Sequence, residues 1–221
     1  MQHYIIYKNE NYYSSFPSII KISKDHLIVV FRRAGKRSVE AAKSGHVTHH
    51  DPNSDIFLIE SFDGGINWDI ENARVIFKPQ FGHGVNDPAI MKKRDGKLLL
   101  RFALLEVVES SNRNKIGNRL LSHRPVHGLV AAFKSNIILE SSNFGKTWNQ
   151  IGTIESNIFP ASCSREPIVE LEDKSLIVSM YNGAPQRSDE SYVFKSFDGG
   201  KTWGDKCLIA SDEKGSSGQH F

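Results

Sequence analysis

Arginine and histidine side chains that could bind an anionic ligand collect in segments between predicted strands. The residues that we predict to bind a substrate are Arg32, Arg33, Arg165, His49, His50 and Asp87. A guanidinium group can hold a carboxylate through two parallel hydrogen bonds, so this set suits an anionic sugar. A histidine among them could also exchange a proton, because imidazole titrates near neutral pH. Solvated loop charge is the alternative interpretation for each residue taken singly.

A repeated octapeptide indicates which elements position these residues. The pattern Ser-x-(Asp/Asn)-x-Gly-x-x-Trp occurs at 61–68, 141–148 and 196–203, and it contains all three tryptophans of the chain. An Asp or Asn side chain can bond nearby backbone N–H groups, and Gly can adopt positive φ, so the pattern predicts a tight hairpin turn. We expect the Trp to pack against the adjoining strands, which makes the octapeptide a folding device without a catalytic role.

The same strands are predicted around each octapeptide. One short strand precedes it and one follows it, and a two-stranded hairpin lies upstream, begun in each case by a proline: Pro17, Pro88 and Pro167. No segment carries a helical period. Four antiparallel strands in each repeat are typical of the blades of an all-β propeller. We therefore predict one domain over 1–221, with blades at about 14–78, 86–155 and 165–210 and the start of a fourth at 211–221.

The two ends of such blades should differ. The hairpin turns and the octapeptides are short and share one end, whereas the predicted connections at the other end span about 32–54, 103–135 and 182–191. Loops longer than about 12–15 residues are usually functional or disordered. We expect a site at the end with the long connections, where Arg101 is also predicted to lie.

The octapeptides and their flanking strands, over roughly 14–210, resemble the Asp-box (BNR-repeat) propellers typified by the sialidases. The resemblance implies a six-bladed propeller of which this chain holds about three blades, so that the chain would be a fragment. A dimer of two three-bladed chains is the alternative.

The resemblance also implies catalytic roles. Sialidases use an Asp as acid and base, a Tyr activated by a Glu as nucleophile, and three arginines that hold the substrate carboxylate. Asp51, ten residues before Ser61, matches the position of the Asp, although Asp51-Pro52 also reads as a loop turn. Arg165 falls at the position of the Glu, and Glu166 stands next to it. The nucleophilic Tyr and the third Arg would follow position 221.

Two positions depart from the family pattern. Ser15 stands where the first substrate-binding Arg is expected, and Tyr181 stands where the second is expected. A serine supplies neither the charge nor the planar fork of a guanidinium group. Arg32 or Arg33, at the end of the next predicted strand, could project towards the same space.

The function that we predict is an exo-acting glycoside hydrolase that releases terminal anionic sugars from glycans by a retaining mechanism. One alternative is cleavage of a uronate-containing polysaccharide by elimination, with Tyr181 or a histidine as base. The other is a non-catalytic glycan-binding propeller, which the serine at position 15 motivates.

Composition excludes several other classes. A net charge of +3 is too small to predict nucleic-acid binding. The two cysteines lack metal or redox spacing, and the local run 49–51 lacks the spread of a zinc site, so we expect no metal and no cofactor. No signal-peptide core and no stretch of about 18 apolar residues occurs, which predicts a soluble, cytoplasmic chain with no membrane partner, or an exported one if the N-terminus is incomplete. The oligomeric state stays open.

Overall fold

The computed structural model describes residues 3–43, 51–121, 128–155, 160–182 and 189–212, without the side chains of 37, 41, 42, 189 and 212. Strands predominate over helices among the described residues, which confirms the all-β class. The described strands form three antiparallel sheets, and none of these sheets closes on itself.

Each sheet is a meander in which consecutive strands pair. The first contains β1 (Tyr13–Lys21), β2 (Leu27–Ala34), β3 (Asp55–Ser61) and β4 (Arg74–Phe77). The second contains β5 (His83–Lys92), β6 (Leu98–Glu109), β7 (Leu129–Ser141) and β8 (Asn149–Ile154). The third contains β10 (Val169–Glu170), β11 (Leu176–Asn182), β12 (Asp189–Ser196) and β13 (Gly204–Asp212), and β9 (Ser162–Cys163) also pairs with β11.

Apolar clusters join the sheets face to face, and the central strands are therefore buried on both faces. In β2, Ile28 and Val30 face the second sheet, whereas Val29 and Phe31 pack under Tyr7 of the N-terminal segment. A second interface joins the second and third sheets through residues such as Leu99, Ile138, Leu176 and Val178. Alternate residues of a strand point to opposite faces, so a run of apolar residues serves two neighbours at once.

The prediction that no segment is helical is wrong. An α-helix, α1, spans Lys36–Lys43, and two 3-10 helices span Ser110–Lys115 and Gly117–Arg119. Helix α1 begins as the backbone N–H of Ser38 donates to the carbonyl of Gly35 at 3.0 Å. Eight residues with few apolar positions are too short to show a helical period in the sequence. No helix in the described ranges is both long and apolar enough to cross a membrane.

The second long connection is shorter than predicted. Strand β6 continues to Glu109 and pairs with β7 from Leu129, so much of the predicted loop 103–135 is sheet. The extension is favoured because Leu105, Val107 and Phe133 bury their side chains in one cluster. Residues 44–50 and 183–188 of the other two connections, and 213–221 of the predicted fourth blade, lie outside the described residues.

Two prolines lie inside strands, where we had predicted the starts of hairpins. Pro17 falls within β1 and Pro88 within β5, each at a shift in register that leaves it out of the ladder. Proline has no N–H to donate and is tolerated at such bulges. The preceding residues, Phe16 and Asp87, have φ values of 55° and 47°, which is the left-handed region.

The octapeptides form nearly identical turns. In the first, the hydroxyl of Ser61 accepts the N–H of Gly65 at 2.9 Å, Asp63 accepts the N–H of Asn67 at 2.9 Å, and Trp68 donates to the carbonyl of Gly65 at 3.2 Å. The same serine, Asp or Asn, and tryptophan bonds recur in the other two. Position 65 requires glycine, because a φ of 94° is unfavourable for residues with a Cβ atom.

Each octapeptide can contact both the hairpin turn of its own sheet and the neighbouring sheet. Within the first sheet, the N–H of Gly64 donates to the carbonyl of Asp25, in the turn between β1 and β2, at 2.8 Å. Hairpin turn and octapeptide therefore share one end of the sheet, which we call the octapeptide end. Arg74 of β4 donates to the carbonyl of Gly145 in the next octapeptide at 2.9 Å. The opposite end, where β2 and β6 finish and β5 begins, is the loop end.

Candidate functional site

Asp87 lies at the centre of the loop end. Its residue is 8% exposed, and its Oδ1 atom is buried without a hydrogen-bond partner among the described residues. Its φ of 47° is unfavourable for a residue other than glycine. A strained backbone and an unsatisfied buried oxygen both cost folding free energy, and such features cluster at functional sites.

The surroundings of Asp87 make it easier to protonate. Burial raises the pKa of the Asp87 carboxyl, and the positive charges of Arg101, Arg165 and Arg32 act in the opposite direction without cancelling the effect of burial. A carboxyl group with a raised pKa can hold a proton at a pH where an exposed carboxyl is ionised.

Arg101 holds the backbone around this carboxyl. It is fully buried, and its guanidinium donates to the carbonyl of Asp87 at 3.2 Å and to that of Glu166 at 3.2 Å. Burial lowers the pKa of Arg101 to about 10, so the group stays charged at neutral pH. Arg101 thus links β5 to the segment before β10. We had predicted it at the loop end, but not this positioning role, because two distant carbonyls leave no mark in a sequence.

Arg32 reaches the same region from the first sheet. Its side chain is completely buried, its Nε donates to the carbonyl of Val85 at 2.9 Å, and its Nη1 lies 3.4 Å from the hydroxyl of Ser15. Burial lowers the pKa of Arg32 to about 10, and the charges of Asp51 and Asp87 act against that shift. A guanidinium group from β2 therefore lies beside the serine that stands at the expected arginine position.

The structure does not bring Arg33 to this group. Arg33 follows Arg32 in β2, so its side chain leaves from the other face of the strand. It forms a two-bond ion pair with Asp55, at 3.1 and 2.9 Å, and packs 4.0 Å from the ring centroids of Tyr12 and Phe57. Arg33 thus stabilises the first sheet.

Asp51 lies next to the start of β5 and is 4% exposed. Its Oδ2 accepts the hydroxyl of Ser38, from helix α1, at 2.6 Å. The same segment is docked as Asn53 donates its N–H to the carbonyl of His83 at 2.7 Å. Gly84 packs directly on the Asp51 carbonyl, and a Cβ atom there would clash with it. Helix α1 and Gly84, neither of which we predicted to matter, therefore fix the position of Asp51.

Arg165, Glu166 and Tyr181 line an open cleft of about 450 Å³ beside the third sheet. Arg165 and Glu166 are exposed. Burial raises the pKa of the Tyr181 phenol, and Arg165, which hydrogen-bonds that phenol, acts against the shift. Burial likewise raises the pKa of nearby Cys163 to about 12, so this thiol is not reactive at neutral pH.

Two predicted substrate-binding residues and a possible metal site remain to be considered. His49 and His50 lie outside the described residues. In the part of the chain that the structure describes, no group of three or more His, Cys, Asp and Glu side chains could hold a metal ion.

No protein-family model matches the chain, and no curated protein matches its sequence. Solved structures do match. A protein of unknown function from Dyadobacter fermentans DSM 18053 has a TM-score of 0.76 at 24% identity, covering 95% of this chain and 58% of that one. The NanB sialidase from Streptococcus pneumoniae has a TM-score of 0.60 at 13% identity, covering 94% and 46%. A family 117 glycoside hydrolase, Zg3597, from Zobellia galactanivorans has a TM-score of 0.54 at 14% identity, covering 87% and 55%.

These similarities establish a sialidase-like, propeller-like fold. At identities below 25% they concern the fold alone. The chain spans 58% of the Dyadobacter protein and 46% of the NanB chain.

Proposed function

We propose that this chain forms part of an exo-acting glycoside hydrolase that releases a terminal anionic sugar with retention of configuration. The observation that carries the proposal is the convergence of Asp51 and Asp87 with Arg32 and Arg165 at the loop end of adjacent sheets. Carboxyl groups that exchange protons, set among guanidinium groups, are what cleavage of an anionic glycoside needs. We further propose that the octapeptides are Asp-boxes and that the three sheets are consecutive blades of a six-bladed propeller.

Each residue has a distinct role in this proposal. Asp51, oriented by Ser38, protonates the leaving oxygen and later activates water. Glu166 activates a nucleophilic tyrosine, as the resemblance to the sialidases implies. Arg32 and Arg165 attract the anionic group, and Asp87 binds a sugar hydroxyl through its unpartnered oxygen.

The test is turnover of the 4-methylumbelliferyl glycoside of sialic acid by the complete gene product. Asp51→Asn should lower kcat by about 10²–10⁴-fold, the usual contribution of general acid catalysis. Asp25→Asn is the matched control, because Asp25 is an exposed aspartate of the octapeptide end, and it should leave kcat unchanged. A folded, complete protein that does not turn over the sialoside, or an Asp51→Asn variant with full activity, would contradict the proposal.

One observation favours the glycan-binding alternative. Arg32 is fully buried and already donates to the Val85 carbonyl, which leaves less of its guanidinium for a substrate carboxylate. Saturable binding of a glycan without turnover would support it. The elimination alternative is less favoured, because burial raises the pKa of Tyr181 and keeps the phenol protonated, which is the opposite of what a base requires. Ultraviolet-absorbing unsaturated products would support it.

A further inference from the structure

A second cavity, of about 380 Å³, opens at the loop end between the first and second sheets. Its apolar floor is formed by Phe77 and Leu104, and its basic rim by Lys78, His83 and Lys134. None of these residues belongs to the site described above. An apolar floor with a few converging polar groups is the usual composition of a binding site for a small molecule.

A β-bulge directs Lys134 into this cavity. Between β6 and β7, Leu104 pairs with Ser135 and Leu105 with Phe133, so Lys134 is the extra residue in β7. A bulged residue leaves the regular alternation of the strand, and bulges next to binding sites often re-aim a side chain in this way.

Lys134 points at a histidine. Its ammonium nitrogen lies 2.9 Å from Nε2 of His83. An ammonium group can only donate, so Nε2 accepts and the ring proton of neutral His83 is on Nδ1. Nδ1 is buried, and it has no hydrogen-bond partner among the described residues. His83 therefore holds the ammonium group of Lys134 at the cavity through Nε2.

The charge at this cavity is positive. Within the described ranges, no carboxylate forms an ion pair with Lys78 or Lys134. Glu106 is the cross-strand neighbour of His83, but it pairs with Arg119 at 3.1 Å. An anion that entered could pair with both lysine side chains.

We propose that this cavity is an accessory subsite for the carboxylate of an acidic saccharide. The sugar ring would cover the floor of Phe77 and Leu104, and Phe81, which is 89% exposed, would offer a further ring to stack on. The hydrogen bond from Asn53 to His83 places the cavity beside the segment of Asp51. That a single saccharide extends from one site to the other rests on the proposed function, whereas the anion subsite itself does not.

The test is isothermal titration calorimetry of the complete protein with trigalacturonate, and with neutral maltotriose as the matched saccharide. Lys134→Ala should weaken trigalacturonate binding about tenfold or more, because it removes a charge-assisted hydrogen bond. Lys201→Ala removes the same charge from an exposed position of the octapeptide end and should leave the affinity unchanged, and Lys134→Arg should retain most of it.

Nitrogen chemical shifts of the His83 ring report binding at the cavity directly, and they should move with trigalacturonate and not with maltotriose. Equal affinities of the wild type and Lys134→Ala, or an unmoved His83 ring, would overturn the subsite. Because neither readout needs turnover, the subsite can hold where the hydrolase proposal fails, and the reverse.

Discussion

The pKa of a carboxyl group is shifted in opposite directions at the two ends of the sheets. At the octapeptide end, Asp198 is exposed and accepts bonds from the backbone and hydroxyl of Thr202, and these bonds lower its pKa to about 2. At the loop end, Asp87 is buried, one of its oxygens has no hydrogen-bond partner among the described residues, and burial raises its pKa. The surroundings of Asp198 therefore stabilise its ionised form, whereas those of Asp87 make ionisation cost free energy.

The two ends also differ in how their polar groups are satisfied. The octapeptide turns satisfy their own polar groups locally, so each stabilises the fold wherever it occurs. The loop end instead combines a positive φ at Asp87 with a buried carboxyl oxygen that has no hydrogen-bond partner among the described residues. Proteins keep such destabilising features mainly where the arrangement itself is used.

The largest effect that we expect within this contrast comes from Arg101→Met. The substitution leaves the buried carbonyls of Asp87 and Glu166 without their donor, which should lower the free energy of unfolding by about 3 kcal/mol. Urea denaturation measures it. Arg113→Met, at an exposed position of a 3-10 helix, is the control and should change stability by less than about 0.5 kcal/mol. Equal stability of both variants would show that Arg101 does not hold the loop end together.

A smaller effect is expected from Asp198→Asn. The folded-state pKa of Asp198 lies below the usual aspartate value, so its stabilisation is complete above about pH 4 and is lost as the pH falls towards 2. The carboxylate is exposed and screened, so the variant should lose less than about 1 kcal/mol at neutral pH. The second octapeptide already carries Asn143 at this position with the same turn.

Thermal melting of wild type and Asp198→Asn between pH 5 and 2 would show this as two curves that converge at low pH. Curves that stay parallel throughout would mean that the octapeptide bonds do not depend on the charge.

Local patterns could be predicted from the sequence, and long-range contacts could not. The octapeptide turns follow from side-chain bonds that span four residues, and Asp87 was predicted at the site because it lies just ahead of a predicted strand. Helix α1 escaped notice because eight residues show no clear period, and β6 was predicted too short because its extension depends on pairing with residues more than twenty positions away.

Within the site, the same limit applies. Arg32 and Arg33 are the same type of residue, and only the alternation of side chains along β2 decides that Arg32 donates to the Val85 carbonyl and Arg33 pairs with Asp55. The close contact of Gly84 with the Asp51 carbonyl has no counterpart in sequence spacing.

We propose that the carboxyl group of Asp87 lowers the stability of the loop end and is needed for function. The substitution Asp87→Asn in the complete protein tests this most directly. Because the pKa of Asp87 is raised on folding, its ionised form destabilises the fold at neutral pH, and this penalty disappears as the pH falls. We expect Asp87→Asn to raise the free energy of unfolding at pH 7, the difference from wild type to shrink towards pH 4, and glycan turnover or binding to drop at least about tenfold. A variant that is less stable than wild type at pH 7, or that keeps full activity and binding, would contradict it.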